Sequence, residues 1–274
     1  MDFEQFDIGG ELKGTGLIAH PLGAVCCVPT FEEVFADQVA QLSEAELLTI
    51  AKSGKLRGSR FNDDFTLDQG SFGSCNPTAA AGCQMRIEVV SGRKLTLLSG
   101  AYLYGYINGG RDSGSMTADS MTGACQIGFS SLATCPRDKI YQRGIDTAKA
   151  KAEALTHRGF ESYPVRTRLG RFTALGKGFF LVVVLQAGGN FQRLNSDGIC
   201  GVDRGSGNHA VLCEGLSAVD DRLIADGRNS WGIQFGIRGR MGLTEEHFEQ
   251  TNDGHLMWAL RAQQGGSDEP PPLK

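Results

Sequence analysis

The sequence predicts an α+β fold of two packed lobes, a helical lobe followed by a β lobe. Residues 60 to about 160 are turn-rich and helix-leaning, whereas residues about 160 to 255 break into short β-branched runs separated by Gly-rich turns. A chain of 274 residues with 41% hydrophobic and 21% charged content is large enough for one big domain or two lobes around a cleft.

Residues 1–59 read as an N-terminal extension that opens on a Gly-rich lead containing Gly9, Gly10, Gly14 and Gly16. Phe31, Val34, Phe35, Val39, Leu42 and Leu47 then recur at mostly helical spacing, predicting helix over 31–52. Ser43 followed by Glu46 has the pattern of a capping box, which would divide that stretch into two helices. An Ala-rich run from Thr78 to Val90 predicts the main helix of the first lobe, stopped by Ser91-Gly92. Phe179–Leu185, Ala210–Cys213 and Leu223–Ala225 predict strands of the second. The tail 263–274, rich in Gly, Pro and charge, is expected to be disordered. The catalytic-domain boundaries are therefore set at 60–262.

The composition excludes several classes of function. A net charge of -4 offers no footprint for nucleic acid or an anionic membrane. No segment has the length and apolarity of a membrane span. The acidic start MDFEQFDIGG lacks the apolar core of a secretory signal, so synthesis in the cytoplasm is expected, with release or packaging in a particle left open. Eight cysteines without a CxxC pair give no zinc pattern. Free thiols are the expectation, and Cys125 with Cys135 or Cys200 with Cys213 are the pairs to check for a bridge.

The chemistry concentrates in three places. Gln69-Gly70-Ser71-Phe72-Gly73-Ser74-Cys75-Asn76-Pro77 runs into the Ala-rich helix, and Pro77 fixes the helix start within about three residues of Cys75. A thiol there faces the positive end of the helix dipole, which favours the nucleophilic thiolate. The Cys75 N–H and the Gln69 side chain are candidate donors to an oxyanion. Asn208-His209-Ala210-Val211 puts an imidazole at a loop-to-strand edge, where it can accept the thiol proton. Asn229-Ser230-Trp231-Gly232 supplies an amide able to orient that imidazole. His20, His157, His247 and His255 stand in no such pattern and receive no role.

These three motifs, in this order and 134 and then 20 residues apart from Cys75 to His209 to Asn229, resemble the papain family of cysteine peptidases, peptidase family C1. The resemblance spans residues from about 60 to 255. It implies a two-lobed fold, with the nucleophile on the helical lobe and His and Asn on the β lobe. It also implies hydrolysis of peptide bonds through a thioester, with Cys75 as nucleophile, His209 as base, Asn229 as orienting partner, Gln69 as oxyanion donor and Trp231 as a shield over the His–Asn bond. Leu98-Ser99-Gly100 resembles the segment ahead of the family's substrate groove, and Ser113, Gly114 and Ser115 stand where a strip binds substrate backbone. No metal or organic cofactor is implied. Phe72 replaces a cysteine and Asn76 an aromatic residue of the family pattern, departures of the kind found in bacteria and their phages. A peptide or protein substrate is the implied partner. The extension is either an inhibitory segment or a docking arm for an assembly partner. The alternative function is a papain-fold structural or interaction protein with little or no turnover; transamidation or cell-wall peptide cleavage would use the same thiol.

Overall fold

The structure, a computed structural model, describes residues 4–18, 29–35, 41–56, 64–249 and 257–262. Cys26, Cys27, His20, His255 and the tail from 263 lie outside the described residues.

The helical lobe is built from α3 (Cys75–Val90), α4 (Gly100–Ile107), α5 (Thr117–Gln126), α6 (Gln142–Ile145) and α7 (Ala148–Thr156). Among the described residues the β lobe holds a six-stranded antiparallel sheet in the order β3 (Phe160–Val165), β8 (Met257–Ala262), β4 (Phe180–Leu185), β5 (His209–Val219), β6 (Arg222–Arg228) and β7 (Arg240–Leu243). The α+β expectation of a helical lobe followed by a β lobe is met.

Strand β4 explains how the lobes join. Its alternation sends Leu181, Val183 and Leu185 into one core and Phe180 and Val182 into the other. Both faces are covered, so the strand reads as an unbroken apolar run. On one face the small residues Ala79, Ala80 and Ala81 bring α3 close to Ala210 and Leu212. Gly82 adds to that approach, since a Cβ there would meet Leu212 Cδ2 at 2.9 Å and displace it.

The other face is covered by the extension itself and by α8 (Arg168–Gly176), a helix that the strand-like texture of this region did not announce. Two short helices, α1 (Phe31–Val34) and α2 (Glu44–Ser53), each begin with a complete capping box, Thr30 with Glu33 and Ser43 with Glu46. Among the described residues the pattern over 31–52 thus gives two helices. Phe31, Phe35, Leu47 and Ala51 lie in the same core as Leu181 and Val183. Residues 29–35 and 41–56 are therefore packed into the β lobe, and removing them would open its core rather than lift off an appendage.

Residues 4–18 behave differently. Strands β1 (Gln5–Ile8) and β2 (Glu11–Gly14) form a two-stranded antiparallel hairpin turned by Gly9 and Gly10, both at positive φ. From β2 the chain continues between the lobes. All six described cysteines, Cys75, Cys83, Cys125, Cys135, Cys200 and Cys213, are free thiols, so neither candidate bridge is formed.

Candidate active site

Helix α3 starts at Cys75, as Pro77 requires. Its N-cap residue Ser74 makes no side-chain cap, which leaves first-turn N–H groups without their usual partner. The N–H groups of Ala210, Gly16, Asn76 and Cys75 lie near enough to the Cys75 sulfur to favour its charged form.

The antiparallel pairing of β5 with β6 brings the first residue of β5, His209, to the end of the sheet where β6 gives way to Asn229. The two side chains meet at 2.7 Å, His209 Nε2 to Asn229 Oδ1. An amide oxygen only accepts, so Nε2 carries the proton and Nδ1 is the bare nitrogen. Nδ1 is buried and has no hydrogen-bond partner. The Trp231 indole lies over the imidazole, ring centroids 4.6 Å apart, and Phe6, Phe191 and Phe235 pack around that indole. The His–Asn pair is thus enclosed in aromatic surface that keeps water from competing for the bond.

Gln69 is held as tightly. Its Oε1 accepts from Ser230 Oγ, its backbone N–H donates to Ser230 O at 2.8 Å, and its Nε2 donates to Phe72 O at 2.6 Å. Ser230 is the residue that the sequence reading missed. Its place beside Asn229 was visible, but nothing in one dimension told that it would meet Gln69.

The cleft between these groups is filled by residues 14–18. Gly14 O accepts from Gln69 Nε2 at 3.0 Å and from the Trp231 indole at 3.3 Å. Gly16 O accepts from Ser115 N–H at 2.8 Å, Ile18 N–H donates to Ser115 O at 3.0 Å, and Leu17 N–H donates to Asn208 O at 3.3 Å. Leu17 pairs with Ser115 as an isolated parallel bridge. Of the strip predicted to hold substrate backbone, Ser115 therefore does pair with an extended chain, and that chain is the protein's own. Gly114 donates its N–H to the Tyr104 hydroxyl, and Ser113 is exposed beside it.

Asn76, which replaces an aromatic residue of the family pattern, points away from solvent. It is fully buried, and its Nδ2 donates to Ser115 O at 2.8 Å, so it props the strip from beneath. Phe72 packs against Ala101, Tyr104 and Ile140. Of the histidines without a role, His157 pairs with Glu88 at 2.9 Å and His247 accepts from Thr244 N–H at 3.1 Å, both in structural settings.

The expectation of a thiolate at Cys75 is corrected. Burial is the dominant influence and pushes the thiol up to about 11, against the four N–H groups that favour its charged form. Burial likewise pulls His209 down to about 4, against the bond to Asn229. In this closed state both groups are neutral between those limits. The helix dipole is present, but the thiol is fully buried, away from the water that a thiolate needs.

No family model matches the sequence, and no curated protein is similar enough to it to count as a match. Solved structures do resemble it. Xylellain, a cysteine protease from Xylella fastidiosa, superposes with a TM-score of 0.70 at 18% identity, over 92% of this chain and 97% of that one. Digestive procathepsin L 3 of Tenebrio molitor larval midgut gives 0.58 at 18% identity, over 83% and 80%. The proform of Amb a 11, a ragweed pollen cysteine protease, gives 0.62 at 19% identity, over 84% and 70%. These likenesses establish a papain-like cysteine protease fold.

Proposed function

We propose that the chain is a cysteine peptidase in which Cys75 attacks, His209 moves the proton, Asn229 orients His209 and Gln69 holds the oxyanion, with residues 4–18 keeping the site closed. One observation carries the reading. A buried imidazole is fixed through Nε2 by Asn229, with its bare Nδ1 at the start of the strand whose Ala210 packs in one core cluster with Cys75.

An extended peptide takes the place of residues 14–18 against Ser115. The Cys75 proton passes to His209 Nδ1, and the thiolate adds to the peptide carbonyl carbon. The carbonyl oxygen, now an oxyanion, is held by Gln69 Nε2 and the Cys75 N–H, the former being the donor that Gly14 O occupies at rest. Collapse breaks the C–N bond as the imidazolium protonates the departing amine. Water, deprotonated by His209, then hydrolyses the thioester and returns the thiol. Every group is a side chain or backbone N–H, so no cofactor enters the cycle. Trp231 keeps the His209–Asn229 bond dry throughout.

Residues 14–18 compete for the same donors and acceptors, which is the basis for reading them as inhibitory. The full burial of Cys75 equally favours the second reading, a papain-fold scaffold that docks a partner through its N-terminal region and does not turn over. Peptide hydrolysis separates the two. With the segment displaced by Gly16→Ala, Cys75→Ala is expected to lower turnover by a thousandfold or more. Equal rates with and without the thiol would leave the scaffold reading.

A further inference from the structure

The four segments that carry Gln69, Cys75, His209 and Asn229 meet a second time, away from the cleft. Asp64 lies five residues before Gln69, and Arg86 eleven residues after Cys75 on α3. Glu214 lies five residues after His209 on β5, and Arg228 directly precedes Asn229 at the end of β6. Eleven residues make about three helical turns, so Arg86 stands on the same side of α3 as Cys75. Glu214 is the unpaired residue of a bulge between Cys213 and Gly215, where the register with β6 shifts.

The four side chains close an alternating ring. Glu214 accepts from Arg86 Nε and, at 2.6 Å, from Arg228 Nε. Asp64 accepts from Arg86 Nη1 at 2.5 Å and from Arg228 Nη2 at 2.7 Å. The Phe65 ring lies 3.9 Å from the Arg228 guanidinium carbon, and Phe65 O accepts from Arg228 Nη1. The side chains of Arg228 and Glu214 are each 1% exposed and that of Asp64 25%.

Buried ion pairs add little net stability compared with apolar packing, because desolvation offsets their attraction. What they do supply is geometry: a planar fork fixes both distance and angle to each carboxylate. We infer that the Asp64–Arg86–Glu214–Arg228 ring is a positioning device that sets the oxyanion donor, the nucleophile helix, the base and the orienting amide in mutual register. Its effect on turnover rests on the peptidase reading, while its effect on geometry does not. The shortest path is covalent, from Arg228 to Asn229, whose Oδ1 holds His209. Misplacement by about 1 Å at such a site costs around a hundredfold in rate.

The test uses the full chain with Asp64→Asn at the open side of the ring and, separately, Glu214→Gln; Arg86→Lys replaces either one that fails to fold. The proton on His209 Nε2 gives a downfield magnetic-resonance signal, assigned by its loss in His209→Gln. In folded variants that signal is expected to move upfield and to exchange with water at least fivefold faster. With Gly16→Ala added, kcat is expected to drop about tenfold or more while KM stays within about twofold. An unchanged signal and exchange rate in two folded ring variants would overturn the inference. A Gly16→Ala parent that cuts no peptide would count against the peptidase reading alone, since the imidazole signal still decides the ring.

Discussion

Iodoacetamide is expected to alkylate Cys75 of the intact chain very slowly at neutral pH, and far faster once residues 14–18 are displaced. Burial holds the thiol near 11 in the closed state. At pH 7 that leaves roughly one thiolate in ten thousand. Opening the cleft restores water, the helix N-terminus and a chargeable His209, conditions under which cysteines ionise at roughly pH 3.5–7.5. Thiolate then predominates, but a less basic sulfur is a weaker nucleophile, with a sensitivity of about 0.4–0.5 per unit. For a drop of about five units the two effects together leave a gain of roughly fiftyfold, before the gain in access. The sign is specific. Because the closed-state value is raised, the rate in the parent should keep climbing with pH beyond 9, whereas in the opened chain it should level off near or below neutrality. Mass spectrometry of the peptide carrying Cys75 reads both profiles. Identical profiles would mean that residues 14–18 do not control this thiol.

The full chain with Gly16→Ala is expected to hydrolyse peptides at least about fivefold faster than the parent. A Cβ on Gly16 would stand 2.1 Å from Gly73 O and 2.3 Å from Gly73 Cα, and one on Gly14 would stand 2.5 Å from Ser71 O. Neither glycine has a positive φ, so alanine strains the contact and not the segment's own backbone. Gly73 lies two residues before Cys75 and cannot yield without moving the start of α3. Overpacking of this kind costs about 1–3 kcal/mol, and each 1.4 kcal/mol is a tenfold change in the closed population. The segment is also anchored by Lys13, which is 2% exposed and pairs with Asp68 at 2.9 Å, and by Glu4, which accepts from Asn208 at 2.7 Å. Lys13→Ala should therefore shift turnover in the same direction by a smaller factor. Unchanged or lower turnover in both variants would assign the segment to docking.

The arrangement of the two lobes was legible because its signals are local. Pro77 marked the start of α3, the Ala-rich run marked its close face, and β-branched runs marked β4 to β6. The His209–Asn229 meeting was legible only through the resemblance. What makes it happen is the antiparallel β5–β6 pairing, a long-range register that no local pattern records. The contents of the cleft were not legible at all. Gly14 and Gly16 looked like a loose lead, yet each is glycine because a neighbouring backbone leaves no room for a Cβ. The ionisation of Cys75 was misjudged for a related reason. The helix dipole can be read from sequence, but the burial that outweighs it is set by the tertiary fold. Asp64, Arg86, Glu214 and Arg228 are scattered charges in the sequence, and only the fold closes them into a ring.

Cys75 is expected to form a covalent intermediate with a peptide carbonyl once the cleft is open. Mixing Gly16→Ala with an activated peptide ester, quenching in acid within the first turnovers and mapping the adduct by mass spectrometry tests it directly. An acyl group is expected on Cys75, lost over time in water and absent from His209→Ala, whose thiol lacks its base. Hydrolysis with no acyl group on Cys75, or with the acyl group on another cysteine such as Cys125, would contradict it.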